Sequence, residues 1–145
     1  LIERDDMVWV HDYHLIPLGE RLRAHGIANR IGFFLHIPWP PTRLFVSLPF
    51  HERLVRSLLE YDLIGFQTDE WRGSFLHYCS KELNAEVDEA TGTINFEGRS
   101  VIARTYPIGI DWEHFQAQGN MGESRNAHQR LLSSTRDRTA MIGVD

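Results

Sequence analysis

The chain has 145 residues, 42% hydrophobic and 11% aromatic, enough apolar material for one packed core and too much for a disordered segment. Fifteen Lys and Arg against 20 Asp and Glu leave a formal charge of −5, with the basic residues scattered, which argues against a nucleic-acid surface. No apolar run approaches the ~20 residues of a membrane span, and the start lacks the basic-then-apolar order of a secretory signal. The single cysteine, Cys79, has no internal disulfide partner and reads as a small core residue, so a reducing, cytoplasmic setting is expected.

Met7 to Val10 is short, apolar and rich in β-branched residues, and predicts a buried strand that stops abruptly at His11. From Leu15 to His25, Leu15, Leu18 and Leu22 share one face, Arg21 and Arg23 fall on the other, and Gly26 stands where a C-terminal cap belongs. That pattern predicts an amphipathic helix. Ile31 to Leu35 predicts a second strand, which runs into His36 and then into Pro38, Pro40 and Pro41, where regular structure ends. His51 to Tyr61 carries Leu54, Val55, Leu58 and Leu59 at helical spacing, and Leu63 to Phe66 makes a third strand ending at Gln67. Thr68 then caps a helix running to about Leu83, with Asp69 and Glu70 in the first turn, where carboxylates complement the helix dipole.

This alternation predicts an α/β fold, a Rossmann-like parallel sheet with helices on both faces. Thr93 to Phe96 and Val101 to Tyr106, separated by Glu97-Gly98-Arg99, predict a hairpin at the sheet edge. Pro107 to Asp111 breaks the pattern. Residues 117 to 140 are polar with one helix expected near Arg125 to Leu132, and Met141 to Val144 reads as the start of a further strand.

In open parallel sheets, ligands bind beyond the carboxyl ends of the strands. The three strands end at His11-Asp12-Tyr13-His14, at His36 and at Gln67, so one rim gathers carboxylate, imidazole, phenol and carboxamide. Such groups suit a polyhydroxylated ligand better than an apolar one. Each also has a plainer reading: Asp12 as a helix cap, His11 and His14 as core or capping histidines, Trp39, Trp71 and Trp112 as packing residues. Trp39, in the proline-rich loop, could alternatively line a sugar site. His-Asp-x-His offers metal ligands, but no further Asp, Glu or Cys set accompanies it and successive strand-end residues point apart. No strand is followed by a glycine-rich phosphate loop.

Four stretches in order, "HDYHLIPLGERLR", "NRIGFFLHIPWPP", "YDLIGFQT" and "YPIGID", closely resemble the trehalose-6-phosphate synthase family. The resemblance runs from about Asp5 to Asp111 and more weakly to the end. It implies a retaining glucosyltransferase of two facing Rossmann-like domains (GT-B type) that moves glucose from UDP-glucose to glucose 6-phosphate, giving α,α-trehalose 6-phosphate and UDP, with no metal or other cofactor. By position, the resemblance assigns Asp12, Tyr13 and Gln67 to the acceptor, and His36 and Ile37 to the donor glucose and its anomeric site. In such transfer the leaving diphosphate helps to deprotonate the acceptor, which leaves Asp12 an orienting role and no side chain as general base. The chain departs from the commonest pattern at Trp39, where Phe is frequent.

The resemblance further implies that a glycine-containing loop precedes Leu1 and that the diphosphate-clamping Arg and Lys follow Asp145. On that basis residues 1–116 are expected to be the second half of an N-terminal, acceptor-side domain, 117–140 a connecting region, and 141–145 the start of a nucleotide-sugar domain. The isolated chain is then expected to be inactive, and the full-length protein is compatible with a homo-oligomer. Two rival readings stay open, a related transferase with another acceptor such as glycerol 3-phosphate and a non-catalytic sugar-phosphate sensor; a metal-dependent phosphohydrolase using His11 and Asp12 is disfavoured, because such hydrolases place the pair on helices and Met7 to Val10 reads as a strand.

Overall fold

Each apolar run that ends at a polar rim residue becomes a strand, and the helices between them carry the chain back for the next parallel strand. The computed structural model describes residues 2–135 and residue 138. The first strand is β1 (Val8–His11), followed by a one-turn 3-10 helix (Tyr13–Leu15) and α1 (Leu18–Ala24). Next come β2 (Ile31–Phe34), α2 (Thr42–Phe45) and α3 (His51–Leu58). After these come β3 (Leu63–Phe66), α4 (Asp69–Glu82), β4 (Glu86–Asp88), β5 (Thr93–Phe96) and β6 (Arg99–Thr105). Two helices, α5 (Trp112–Gly119) and α6 (Gly122–Thr135), complete the described residues. The chain divides into two compact units after Ile108, the first holding the sheet and the second the α5–α6 pair. The strand expected at 141–145 lies outside the described residues.

The six strands lie in the order β1-β2-β3-β6-β5-β4, the first four parallel and the last two antiparallel. The α/β class and the Rossmann-like parallel sheet are therefore as expected. Coverage of the two faces differs from expectation. Paired residues in a parallel sheet share a face, and residues alternate faces along each strand. The row Val10–Phe33–Ile64–Ala103 is buried throughout, whereas the neighbouring row Trp9–Gly32–Leu63–Ile102 leaves Trp9 and Ile102 exposed. Within the first unit the helices α1 to α4 cover one face. The cause is topological, because strand order advances β1, β2, β3, β6 without reversing, and right-handed crossovers along one direction deposit the connecting helices on the same side. On the open side the Trp9 ring lies across Gly32, where an added Cβ would collide with the ring.

Several elements differ in extent or place from the sequence expectation, for identifiable reasons. Helix α1 begins after Pro17, which has no N–H to bond into a preceding turn, and the residues from Tyr13 form the 3-10 turn instead. The hairpin is not confined to an edge: β6 pairs with β3 as well as with β5, and the short, charged β4, which hydropathy does not reveal, takes the edge. Helix α5 is capped by Asp111, whose Oδ1 accepts from the His114 N–H at 2.9 Å, although the sequence around it shows no helical period. The predicted helix near Arg125 to Leu132 lies inside α6.

The core of the first unit is aromatic. Tyr61, Phe33, Phe66, Phe75 and Tyr78 are fully buried. Cys79 is buried among them and burial pushes its thiol up to about 12, so it is the small core residue expected and not a nucleophile. No helix among the described residues is long and apolar enough to cross a membrane.

Candidate functional site

The carboxyl ends of β1, β2 and β3 form a rim on which each sequence-predicted residue can be placed. Asp12 comes directly after the last residue of β1. Its N–H donates to the Phe34 carbonyl at 2.8 Å, prolonging the strand pairing by one bond, and its Oδ1 accepts from the Tyr13 N–H at 2.9 Å. The backbone there has φ 70° and ψ 161°, a conformation that costs a non-glycine residue about 1–3 kcal/mol. Asp12 is thus both the cap of the plainer reading and more than that. A cap is ordinarily made at negative φ, whereas Asp12 makes this one at a positive φ.

The 3-10 turn beyond Asp12 is held from the core. The Tyr61 hydroxyl accepts from the Gly19 N–H at 3.0 Å and donates to the Leu15 carbonyl at 2.8 Å, while its ring packs on Phe33 with centroids 5.0 Å apart. Burial raises the Tyr61 hydroxyl above its usual value, partly offset by the Gly19 contact. A fully buried residue between β2 and α1 therefore pins the turn that carries Tyr13. Tyr13 itself is half exposed and its ring lies 3.8 Å from that of His14.

His36 lies two residues past β2. Its loop is stapled by Trp39, which is 4% exposed and packs on Phe45, Phe66 and Phe75. Trp39 is accordingly a packing residue and lines no sugar site, and with it buried the neighbouring Ile37 is turned out at 42% exposure. Trp71 also packs against the core, whereas Trp112 is exposed within the described residues.

Gln67 lies directly after β3. Its Oε1 accepts from the Ile108 N–H at 3.3 Å, which leaves the amide N–H groups of the side chain for a ligand. The adjoining helix is fixed by Thr68, whose hydroxyl oxygen accepts from the Trp71 N–H, and by Asp69, whose carboxylate accepts from the Thr105 hydroxyl at 2.6 Å.

The closest association on the rim involves a residue to which the sequence assigns only a supporting role. Nδ1 of His11 lies 2.9 Å from Nε2 of His36, with the ring centroids 5.1 Å apart and the planes 27° from parallel. His11 pairs in register with Phe34, so His36, two residues further on, falls on the same face. Strand parity carries this signal, but only once the β1–β2 register is known. Gln67 stands one strand beyond, bonded to Ile108. No group of three or more His, Cys, Asp or Glu side chains placed to hold a metal ion occurs among the described residues.

The model of glycosyltransferase family 20 matches residues 1–145. A trehalose-6-phosphate synthase of Sinorhizobium fredii is 39% identical over 147 residues, an alignment covering all of this chain and 31% of that protein. The chain thus spans about a third of that relative's length. An α,α-trehalose-phosphate synthase (UDP-forming) from Burkholderia xenovorans, solved in complex with glucose-6-phosphate, superposes with a TM-score of 0.78 at 40% identity, covering 93% of this chain and 30% of that one. The N-terminal domain of a Candida albicans trehalose-6-phosphate phosphatase is also similar, with a TM-score of 0.82 at 31% identity, covering 94% of this chain and 29% of that one.

Proposed function

Because the chain belongs to glycosyltransferase family 20, we propose that it forms the acceptor-side crevice of a retaining glucosyltransferase of GT-B type. The reaction moves glucose from UDP-glucose to glucose 6-phosphate and yields α,α-trehalose 6-phosphate and UDP, without a metal. The observation that carries this reading is the strained Asp12 backbone at a strand end, beside the paired His11 and His36. Backbone strain retained in a sheet is characteristic of sites where geometry serves a ligand. The similarity to a UDP-forming synthase holding glucose-6-phosphate supports the choice of substrates.

In this assignment Asp12, Tyr13 and Gln67 hold the acceptor sugar, and His36 and Ile37 border the transferred glucose. The carboxylate of Asp12 orients an acceptor hydroxyl toward the anomeric carbon, and the departing diphosphate takes up the hydroxyl proton on the same face. The rate gain supplied by Asp12 is one of orientation. Residues 1–116 belong to the acceptor-side domain, 117–140 to a connection and 141–145 to the nucleotide-sugar domain. The isolated segment, about a third of the length of that relative, is expected not to turn over alone. A cytoplasmic setting suits a chain whose one cysteine is buried and free.

The test uses a full-length family protein carrying this segment. Asp12→Ala is expected to lower kcat/KM for glucose 6-phosphate by roughly thirtyfold, the loss of one charged hydrogen bond worth about 2 kcal/mol, while UDP-glucose affinity holds. Equal losses for both ligands would overturn the acceptor assignment. The likeness to the N-terminal domain of a phosphatase favours one second reading, a sugar-phosphate-binding domain that transfers nothing. Binding of glucose 6-phosphate without UDP release from UDP-glucose would select it.

A further inference from the structure

His11 and His36 share a single hydrogen. Their facing nitrogens, Nδ1 of His11 and Nε2 of His36, are 2.9 Å apart, and the rings are 27° from parallel with centroids at 5.1 Å. Trp9 meets His11 edge-on at 5.8 Å, and Phe34 meets His36 edge-on at 4.8 Å, so both imidazoles stand between aromatic walls on the open face of the sheet. A nitrogen-to-nitrogen hydrogen bond requires one ring to donate and the other to accept. The neutral imidazole intrinsically favours hydrogen on Nε2. Only one arrangement gives both rings that form: His36 donates from Nε2 and His11 accepts at Nδ1. The free nitrogen of His36 is then Nδ1, a lone-pair acceptor directed away from His11 and suited to a sugar hydroxyl.

Among the described residues no charged side chain bonds either ring. The Asp12 carboxylate is turned to the Tyr13 N–H, and His14 stacks on Tyr13. Arg104 occupies the same register row two strands beyond Phe34.

We propose that His11 is a positioning residue, setting the ring orientation and tautomer of His36 so that His36 meets the donor glucose as a hydrogen-bond acceptor. This rests on the reading that His36 borders the transferred glucose. His11 acts through His36 and touches no substrate. The hydroxyl group that donates to His36 keeps its proton throughout, so the role is one of recognition and alignment.

The experiment takes a full-length family protein carrying this segment, with its histidines labelled with nitrogen-15, at a mildly alkaline pH. His36 is expected to show a protonated Nε2 and an unprotonated Nδ1. His11→Phe keeps a ring between Trp9 and His36 but removes the acceptor. In that variant the His36 signals should move to those of a mixed tautomer, and KM for UDP-glucose should rise about fivefold, as for one lost hydrogen bond, with KM for glucose 6-phosphate unchanged. His11→Asn, which returns an amide oxygen near the place of Nδ1, should restore both the spectrum and KM. An unchanged His36 spectrum in His11→Phe, no rescue by His11→Asn, or a parallel rise of both KM values would overturn the proposal. If the unmodified protein transfers no glucose, the transferase reading fails, while the spectra still decide whether His11 sets the His36 tautomer.

Discussion

At the amino ends of the parallel strands Arg23 donates to the carbonyls of Ile27, Asn29 and Glu60 and to the Asp62 carboxylate, and the same Asp62 oxygen accepts the Ile31 N–H at 2.7 Å. Arg99 adds bonds to the carbonyls of Leu59 and Glu60. At the carboxyl ends, Asp12 and Gln67 each accept a single backbone N–H, the two histidines bond only to each other among the described residues, and Asp12 sits in a strained backbone. Both ends carry polar and charged side chains of similar kind. One end consumes its hydrogen-bonding capacity internally and so contributes to stability; the other leaves capacity unspent and so can bind.

Breaking the saturated end should give the largest effect on stability. Arg23→Ala removes four hydrogen bonds from a side chain that is 17% exposed and leaves Asp62 without its closest cation. A loss of about 3 kcal/mol is expected, read as a lower urea midpoint, with the glucose 6-phosphate affinity of the proposed function unchanged. A midpoint within experimental error of the unmodified protein would remove the contrast between the two ends.

The open end should respond with the opposite sign. Asp12→Gly relieves a φ of 70°, which is natural for glycine, and is expected to stabilise the fold by about 1 kcal/mol after the added flexibility of the unfolded chain is counted. Under the proposed function, acceptor use should fall as expected for Asp12→Ala. A protein that becomes both less stable and less active would show that Asp12 belongs with the structural residues instead.

The smallest effect at neutral pH lies between the two ends, in the core of α4. Burial pushes the Tyr78 hydroxyl, with added repulsion from Glu82 and Glu52, up to about 12, and burial alone does the same for the Cys79 thiol. Both groups hold their protons more tightly folded than unfolded. Stability is therefore complete below the unfolded values of 9.0 and 10.0 and declines as pH rises from there toward about 12. Cys79→Ala should flatten the lower part of that decline in alkaline unfolding curves, and iodoacetamide at neutral pH should leave Cys79 unmodified in the folded protein. Rapid alkylation under those conditions would contradict its place in the core.

How far the sequence reaches can be judged residue by residue. The strands at Val8, Ile31 and Leu63 were legible because each is a compact apolar run stopped by a polar residue, and the stops named the rim: Asp12, His36 and Gln67. Trp39 was not legible in the same way, since an indole in a proline-rich loop fits a sugar site or a staple equally well, and only its contacts with Phe45, Phe66 and Phe75 decide for the staple. Strand β4 escapes a hydropathy reading because three residues, two of them acidic, carry no apolar period.

The sequence by itself determined the α/β class and the membership of the rim, because hydrophobic period and strand-end polarity are properties of neighbouring residues, while the family followed from the resemblance of four ordered motifs. Tertiary structure alone decided that the helices cover one face of the sheet, that β6 enters its interior, and that His11 bonds His36. Those outcomes depend on strand order and register, which join residues 25 or more positions apart and are set by which faces bury together.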